Sequence, residues 1–471
     1  MKPLTIGKIA EVTEGIYYGP EQQVNVEITK VVRDHRTIRD CSDRDISSHE
    51  SVGHCLFICF TGERVDGHDF AAEAFSSGAA CCLAEKKLSD FPGAYILVDS
   101  TRKALCRLAA YYRSLFTIPI IGITGSVGKT TAKEMTAYVL SQKYNVLKTA
   151  GNLNNEIGVP LTLLSLSDEH EVAVIEMGIS ESGEMSRLAQ MVRPDICMIT
   201  TIGHSHLENL KDLHGVLKAK SEVFSYMSPN AYAFLNGDDE YLCKLKLAIK
   251  TITFGFDQSN MYSADDIKYN GTNGMDFSIS CKTSRFRILL PAFGRQLIPS
   301  ALAAAAIGHH LGLTDKQIID GLANYAPVGS RAKIRQTNYI KIIDDCYNAN
   351  PDSVMASIRS LSSLSGRKVA ILGDMNELGE QAVRLHREVG EITGMPGLDC
   401  LICCGNLAEY IYRGAIATRK DIETWFFPGK KELFNELPSL IRQNDTVLVK
   451  ASHSMQFEDI VEQLESIQAL S

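Results

Sequence analysis

The stretch Ile-Ile-Gly-Ile-Thr-Gly-Ser-Val-Gly-Lys-Thr-Thr at residues 120–131 decides the fold of this chain. It joins an apolar run, typical of a buried strand, to a glycine turn that ends in Lys-Thr. Gly125 and Gly128 can adopt backbone angles that are closed to other residues, so successive N–H groups can surround phosphate oxygens. The segment that follows has helical composition, and the positive end of that helix would face the same phosphates. The stretch therefore predicts a site for a nucleoside triphosphate.

Every residue of the predicted phosphate loop is a candidate for binding the nucleoside triphosphate: Thr124, Gly125, Ser126, Val127, Gly128, Lys129, Thr130 and Thr131. Lys129 would reach the β- and γ-phosphates, and Thr130 would offer its hydroxyl to Mg²⁺. The strict pattern G-x-x-x-x-G-K-[ST] asks for glycine at position 123, where this chain has Ile123. The alternative is a glycine-rich turn before an ordinary helix, and the strand–turn–helix context argues against it.

The bulk properties of the 471 residues are those of a globular protein, with 45% hydrophobic and 22% charged residues. The net charge of −8 argues against a nucleic-acid partner. No apolar run is long enough to span a bilayer, and the amino terminus lacks the apolar core of a signal peptide. We therefore expect a cytoplasmic, monomeric protein. Cys400, Cys403 and Cys404 resemble a metal or redox motif, but they lie in an apolar run and are interpreted as core residues.

The order of apolar and polar segments predicts an α/β protein of three domains, at residues 1–110, 111–325 and 326–471. Strands alternate with helices in the second and third blocks, which predicts a parallel sheet in the central domain and a Rossmann-like C-terminal domain. A polar, hairpin-like insertion is predicted at 251–290 from its turn-forming pairs, Asn270-Gly271 and Asn273-Gly274.

Several polar residues follow predicted strands, where ligands bind in open α/β sheets. Glu176 ends an apolar strand and could meet a metal ion, or it could be a strand-end acid that faces solvent. His206 follows the next strand and could bind a metal, although alone it is more typical of a packing or surface histidine. Asp345 and Asn348 follow a later strand, and Arg331 could bring a guanidinium to the γ-phosphate from a separate domain.

An amide-rich segment at 150–160 contains Asn154 and Asn155. Asparagine side chains can bind the carbonyls and phosphates of a substrate, and they also tolerate turns. The segment is therefore interpreted either as part of a substrate site or as a capped loop before a helix.

Together these segments resemble the Mur ligase family of ATP-dependent amide ligases. The matching segments run in the family's order along nearly the whole chain: Asp66-Gly-His-Asp-Phe70, Thr124 to Thr130, Gly151 to Pro160, Glu176-Met-Gly178, His206-Leu-Glu208, Ala219-Lys-Ser-Glu222, Asp345 to Pro351 and Gly373-Asp-Met-Asn-Glu-Leu-Gly379. The tetrad Tyr347-Asn-Ala-Asn350 and the run at 373–379 favour the branch that adds a dipeptide.

This resemblance implies a reaction in peptidoglycan precursor synthesis. ATP phosphorylates the terminal carboxylate of UDP-N-acetylmuramoyl-tripeptide, and the amine of D-alanyl-D-alanine displaces phosphate from the acyl phosphate. It also implies that an N-terminal domain binds the UDP-sugar peptide, a central domain binds ATP, and a C-terminal domain receives the incoming amine.

The resemblance implies roles for individual residues. The catalytic set would be Lys129, Glu176, His206, Lys220 and Arg331. The metal set would be Thr130, Glu176, His206 and Lys220, holding two Mg²⁺ ions, with Lys220 carbamylated by CO₂. Lys218 is an alternative, although the Ala-Lys-x-Glu spacing favours Lys220.

The remaining implied contacts are with ATP and with the sugar peptide. Besides the phosphate loop and Arg331, Asp345 and Asn348 would contact ATP. The substrate set would be Arg36, Thr61, Asp66, His68, Asn154 and Asn155.

The chain departs from the family pattern in three places: Asp34-His35-Arg36, Gln296-Leu-Ile-Pro-Ser300 and Lys450-Ala-Ser-His453. Another Mur-type amino-acid ligase remains an alternative. Folylpolyglutamate synthetase begins directly with its ATPase domain, whereas about 110 residues precede the phosphate loop here. A P-loop ATPase without ligase activity is an alternative from a different class.

Overall fold

The computed structural model describes residues 1–41, 53–62, 65–271, 274–394, 396–419 and 421–467. These residues form three α/β units, each built on its own sheet, which confirms the predicted fold class. Asn273, part of a predicted turn, lies outside the described residues, as does the last tetrapeptide of the chain. Within the described ranges, no helix has the length and apolar character needed to cross a membrane.

The first unit is a mixed sheet with helices. Its elements are β1 (Leu4–Thr5), α1 (Ile6–Thr13), β2 (Ile16–Tyr18), β3 (Glu27–Ile28), β4 (Lys30–Val32), β5 (Cys55–Ile58), α2 (Ala71–Ser76), β6 (Ala79–Ala84), β7 (Ala94–Leu97) and α3 (Thr101–Ser114). The main sheet has the order β2-β7-β6-β5-β4, with β2 antiparallel to β7 and the other pairs parallel. Helix α3 leads from this unit into the next.

The second unit carries the phosphate loop. Its elements are β8 (Ile120–Thr124), α4 (Lys129–Leu140), β9 (Val146–Lys148), α5 (Gly158–Leu163), β10 (Val172–Glu176), α6 (Glu184–Val192), β11 (Ile196–Ile199), α7 (Leu207–Leu210), α8 (Leu213–Ser221), β12 (Tyr232–Asn236), β13 (Lys250–Gly255), β14 (Tyr262–Tyr269), β15 (Met275–Cys281), β16 (Arg285–Leu290), α9 (Ile298–His310) and α10 (Asp315–Ala323). The sheet order is β16-β15-β14-β13-β12-β11-β8-β10-β9.

The predicted insertion at 251–290 continues the central sheet. Strands β14, β15 and β16 pair in antiparallel fashion, as the hairpin prediction requires. Strand β13, however, is parallel to β12, and the start of β14 is parallel to β13. The apolar face of this extension packs with α9, whose consecutive alanines Ala303 to Ala306 are buried and bring the helix close to α4.

The third unit is Rossmann-like. Its elements are β17 (Lys333–Gln336), β18 (Lys341–Asp344), α11 (Pro351–Ser362), β19 (Lys368–Gly373), α12 (Ala382–Thr393), β20 (Cys400–Cys404), α13 (Ala408–Thr418), β21 (Glu423–Phe427), α14 (Lys430–Leu440), β22 (Thr446–Lys450) and α15 (Glu458–Glu465). The order is β17-β18-β22-β19-β20-β21, parallel except for β17. Cys400, Cys403 and Cys404 are free and buried in β20, which confirms them as core residues.

The carboxyl ends of parallel strands from the second and third sheets face one another. The phosphate loop follows β8, and Glu176 is the last residue of β10. On the opposite side, Asp345 follows β18 and Lys450 ends β22. The strand ends of two sheets, where ligands bind in α/β folds, therefore meet in one place.

Candidate active site

A cavity of about 600 Å³ lies between the second and third units. The second unit contributes residues 126–131 of the phosphate loop, the strand-end acid Glu176, and His206 to its wall. The third unit contributes Arg331, Asp345 and Asn348. The structure therefore brings most of the candidate residues from two separate units around one space that can hold a nucleotide.

The phosphate loop has the backbone that its glycines predict. Gly125 has φ +144°, and a Cβ atom there would lie 1.9 Å from the Thr200 hydroxyl oxygen. Gly128 has φ +85° and comes directly before helix α4. Lys129 Nζ donates to the Gly125 carbonyl at 2.9 Å, so its side chain is folded back over the loop. Burial lowers the pKa of Lys129, and the nearby Glu176 carboxylate opposes that shift.

Glu176 is buried at the end of β10 and is held by two donors on one of its oxygens. Oε1 accepts a hydrogen bond from the Thr130 hydroxyl at 3.1 Å and one from Asn154 Nδ2 at 2.8 Å. Within the described residues, Oε2 has no hydrogen-bond partner, although Lys133 Nζ lies 3.8 Å away. One oxygen fixes the carboxylate, while the other makes no hydrogen bond in the described residues and faces the Lys133 ammonium.

His206 lies at the contact between the two units. It comes directly before α7 and adopts a left-handed backbone with φ +54°. Its Nδ1 atom is 2.6 Å from Oε2 of Glu377, a residue of the third unit. The carbonyl of Glu377 also accepts a hydrogen bond from Glu208 N at 3.2 Å. The histidine is therefore held by both units.

Lys220 lies near the end of α8 and is fully buried. Its Nζ atom has no hydrogen-bond partner among the residues that the structure describes. Burial lowers the pKa of Lys220 well below the usual lysine value, and the charge of Lys129 adds to that shift. The neutral amine is the form that is nucleophilic toward CO₂. Lys218, the alternative, is exposed.

The third unit presents the Arg331 guanidinium and the Asp345 carboxylate to the cavity, and the two groups differ in the contacts that hold them. The Arg331 guanidinium lies 3.5 Å from the centre of the Tyr347 ring, which orients it by a cation–π contact. Asp345 is already engaged, because its oxygens accept from Ala332 N at 3.0 Å and from Lys450 Nζ at 2.7 Å. Asn348 Oδ1 accepts from the next backbone amide at 2.9 Å.

The predicted substrate residues of the first unit lie outside the lining of this cavity. Arg36 donates to Asp34, with Nη2 2.7 Å from Oδ2. Thr61 and Asp66 form an isolated antiparallel bridge. His68 is buried, with Nδ1 2.5 Å from Asp66 Oδ1 and Nε2 accepting from Glu85 N at 2.9 Å. The two ring nitrogens of His68 therefore connect Asp66 to the backbone at Glu85.

Asn154 and Asn155 both line the cavity but differ in their contacts. Asn154 binds Glu176, as described above. Asn155 Oδ1 accepts from the backbone N–H groups of Ile157 at 3.1 Å and Gly158 at 2.9 Å. That oxygen caps the entry to α5, in agreement with the capped-loop interpretation of the segment.

The residues present fit a hard divalent cation. Thr130 and Glu176 supply oxygen donors of the kind that Mg²⁺ prefers, and Glu176 Oε2 is a buried oxygen with no hydrogen bond in the described structure. No group of three or more His, Cys, Asp or Glu side chains in the described ranges is arranged to hold a metal. The proposed set is not of that kind, because it depends on a threonine hydroxyl and on a modified lysine.

Sequence reasoning missed several residues of the cavity wall. Asn236 and Phe254 line it, as does Leu297, whose segment was noted only as a departure from the family pattern. Gln296 Oε1 in that segment accepts a hydrogen bond from Ser360 of the third unit at 2.6 Å. Asn236 ends β12, and this strand-end position was the signal that could have found it. Lys450 begins a segment that departs from the family pattern at Ala451 and His453, but its contact with Asp345 emerges only when β18 and β22 pair.

Comparisons with known proteins agree with this geometry. The Mur ligase middle domain matches residues 123–308, and the family described as "Mur ligase, glutamate ligase domain" matches residues 330–453. The UDP-N-acetylmuramoyl-tripeptide–D-alanyl-D-alanine ligase of Bacillus subtilis strain 168 is 34% identical over 465 residues, which are 98% of each chain. This chain belongs to the Mur ligase family.

Solved structures of that family have the same architecture. A crystal structure of MurF from Acinetobacter baumannii superposes with a TM-score of 0.88 at 28% identity and covers 99% of each chain. The MurF ligase of Thermotoga maritima in complex with ADP superposes with a TM-score of 0.79 at 29% identity, covering 93% of this Mur ligase and 97% of that one. The three-domain α/β architecture of this Mur ligase is therefore that of MurF.

Proposed function

We propose that this Mur ligase joins D-alanyl-D-alanine to UDP-N-acetylmuramoyl-tripeptide and converts ATP to ADP and phosphate. The assignment to this branch is supported by the names of the relatives, which are 34% identical in Bacillus subtilis and 37% identical in Escherichia coli. The use of ATP is supported by the ADP complex of the similar ligase from Thermotoga maritima. The reaction belongs to peptidoglycan precursor synthesis, and we place it in the cytoplasm.

The observation that carries the proposal is the cavity between the second and third units. A ligase has to bring a phosphorylated acid from one unit to an amine held by another, and a cavity lined by both units meets that requirement. Two of the buried polar groups without a hydrogen bond in the described residues, Glu176 Oε2 and Lys220 Nζ, lie in the second unit, the one that carries the phosphate loop.

The first chemical step would be attack of the substrate carboxylate on the γ-phosphorus of ATP, with ADP leaving. Two anions must approach one another, so positive charge has to lie between them. Lys129 would turn from the Gly125 carbonyl to the phosphates, and the backbone amides of the loop would hold the phosphate oxygens. Arg331, held over Tyr347, would meet the γ-phosphate from the third unit.

The predicted residues would also hold Mg²⁺. Thr130 and Glu176 would bind one ion, and His206 with carbamylated Lys220 would bind a second. When bound, these ions would neutralise charge on the γ-phosphate and the carboxylate. Carbamylation would convert a buried amine without a partner into an anionic oxygen donor, which is the type of ligand that Mg²⁺ prefers.

The second step would be attack of the D-alanyl-D-alanine amine on the acyl phosphate. The carbon–nitrogen bond forms, the amine nitrogen loses one proton, the carbon–oxygen bond to phosphate breaks, and phosphate leaves. The third unit would bind the dipeptide beside Arg331, and the first unit would bind the UDP-sugar through Arg36 and the loop that contains Thr61, Asp66 and His68. The ligase would work as a monomer whose three units close over the substrates.

Phosphate release by the purified ligase tests the proposal directly. The assay contains ATP and Mg²⁺, with each of UDP-N-acetylmuramoyl-tripeptide and D-alanyl-D-alanine added alone and together. We expect release that needs both substrates, and mass spectrometry should find the pentapeptide product. Assays with tripeptides that carry diaminopimelate or lysine at the third position identify which tripeptide the ligase uses.

Two results would overturn the proposal. Equal phosphate release without the substrates would indicate a P-loop ATPase without ligase activity. Product formation with single amino acids in place of D-alanyl-D-alanine would indicate a Mur ligase of another branch.

A further inference from the structure

Glu377 of the third unit contacts His206, which is a proposed metal ligand of the second unit. Glu377 Oε2 lies 2.6 Å from His206 Nδ1. In the described ranges, Nδ1 is buried and makes no hydrogen bond, so the close approach of the Glu377 carboxylate is the polar contact recorded for this nitrogen. The two imidazole nitrogens are distinct, and the partner of one decides the tautomer and ring orientation that the other offers.

We propose that Glu377 is a positioning residue that holds the His206 ring, so that Nε2 is the nitrogen offered to a divalent cation in the cleft. This inference rests on the proposed function, because it takes His206 as a ligand of the second Mg²⁺. Carboxylates commonly hold metal-binding histidines in this way, and their loss weakens metal binding. The additional feature here is that the carboxylate and the histidine come from different units.

Backbone contacts hold the loop of Glu377 against the loop of His206 independently of the contact between their side chains. Glu377 and His206 both have left-handed backbones, with φ +62° and φ +54°. Such conformations cost energy for residues other than glycine and persist where the surroundings hold them. The Glu377 carbonyl accepts from Glu208 N, and a Cβ atom on Gly379 would lie 3.1 Å from Glu208 Cα. The loops are in close backbone contact, so the carboxylate is delivered to a defined place.

Other contacts hold the same two units together without Glu377. His204 N donates to Asp352 Oδ2 at 2.6 Å, and Gln381 Nε2 donates to the Lys211 carbonyl at 3.0 Å. The loss of the Glu377 side chain would therefore change the orientation of His206 while the units stay docked. Conversely, His206 is correctly oriented only when the third unit is in place, so cation binding is coupled to docking of this unit.

Binding of Mn²⁺, followed by electron paramagnetic resonance, tests the inference without turnover. The full-length ligase is titrated with Mn²⁺ in the presence of a non-hydrolysable ATP analogue. We expect Glu377→Ala to bind Mn²⁺ about tenfold more weakly than wild type, the lower end of the loss seen for such partners. Glu377→Gln keeps an acceptor oxygen and should recover most of that loss. The matched control, Glu380→Ala, removes an exposed carboxylate nearby and should stay within about twofold of wild type.

The double variant His206→Ala/Glu377→Ala should bind Mn²⁺ no more weakly than His206→Ala, because Glu377 acts through the histidine. Steady-state kinetics should show the same defect as Mn²⁺ binding. Glu377→Ala should need more Mg²⁺ for its half-maximal rate, and its KM for D-alanyl-D-alanine should be unchanged. Thermal unfolding confirms that each variant is folded, and Glu377→Gln serves if the alanine variant is not.

The outcomes separate this inference from the proposed function. Mn²⁺ binding by Glu377→Ala within twofold of wild type, with weak binding by His206→Ala, would overturn the positioning role alone. A Glu377→Gln variant as weak as Glu377→Ala would show that charge matters and not orientation, which also overturns it. Unchanged binding by His206→Ala would overturn the metal assignment, and this inference with it.

Discussion

Two lysines of the second unit are equally buried and have opposite surroundings. Lys133, on helix α4, is fully buried and has its Nζ atom 2.9 Å from Glu134 Oε1 and 2.8 Å from the Thr149 carbonyl. Glu134 also pairs with Lys148. Lys220, on helix α8, is fully buried too, but its Nζ has no hydrogen-bond partner in the part of the chain that the structure describes.

This difference in partners distinguishes a lysine that stabilises the core from a lysine that is available for a reaction. A buried charge that is paired and hydrogen-bonded is tolerated as part of the core, and the loss of one partner is costly. A buried amine without a partner lowers stability and gains nothing in return from the folded chain. Groups of this kind cluster where function requires them. Lys133 is therefore interpreted as a structural residue and Lys220 as a reactive one.

The largest expected effect is on catalysis. Lys220→Met should lower the rate of ligation about 1000-fold, because it removes a group that acts on developing charge. Lys220→Ala should behave similarly, and a short-chain carboxylic acid should partly restore its activity by supplying the missing oxygen. The measurement is substrate-dependent phosphate release at saturating ATP. Full activity of either variant would refute the role of Lys220.

The next effect is on stability, where we expect substitution of Lys133 to be more damaging than substitution of Lys220. Lys133→Met should lower the free energy of unfolding by about 3–5 kcal/mol, since it leaves Glu134 buried with one partner fewer. Lys220→Met removes a buried amine that gives up its proton on folding, so it should leave the free energy of unfolding unchanged or raise it at neutral pH. Urea unfolding of both variants makes the comparison. Equal losses would remove the distinction between the two sites.

A smaller effect is expected in the pH dependence of stability. Burial lowers the pKa of Lys220 below 10.5, so the unfolded chain binds a proton that the folded chain does not. Stability should therefore rise with pH between the folded pKa and 10.5, by up to about 1.4 kcal/mol per pH unit. The slope is measured by urea unfolding in CO₂-free buffer. Lys220→Met should lack this part of the slope, and an identical slope in wild type and variant would contradict the account.

The smallest effect concerns the exposed partner of Glu134. Lys148 has a 40% exposed side chain, so Lys148→Ala should lower the free energy of unfolding by less than about 1 kcal/mol. The buried Lys133 still pairs with Glu134 in this variant. The same urea experiment measures it, and a loss as large as that of Lys133→Met would mean that burial does not set the value of these contacts.

The sequence predicted the elements better than it predicted the contacts. The apolar run that holds Cys400, Cys403 and Cys404 is the buried strand β20, because continuous apolar runs mark buried parallel strands. The hairpin extension was found from its turns, but its parallel attachment to β12 through β13 was not, since pairing between distant strands leaves no local pattern.

The same distinction between local patterns and long-range contacts applies to the residues of the site. Lys129 and Glu176 were predicted from local motifs, and the structure places both on the cavity wall. Glu377 was part of a quoted motif without a role, because its contact with His206 joins residues far apart in sequence. Asp345 was predicted as a nucleotide contact, and nothing in its motif indicated that Lys450 would pair with it.

The most direct test of the central claim is carbon-13 NMR of the ligase with ¹³C-labelled CO₂. The account predicts one carbamate resonance from a lysine side chain, retained in a folded Lys133 variant such as Lys133→Arg and absent in Lys220→Met. A carbamate resonance that survives in Lys220→Met, or none at all in the wild-type protein, would contradict it.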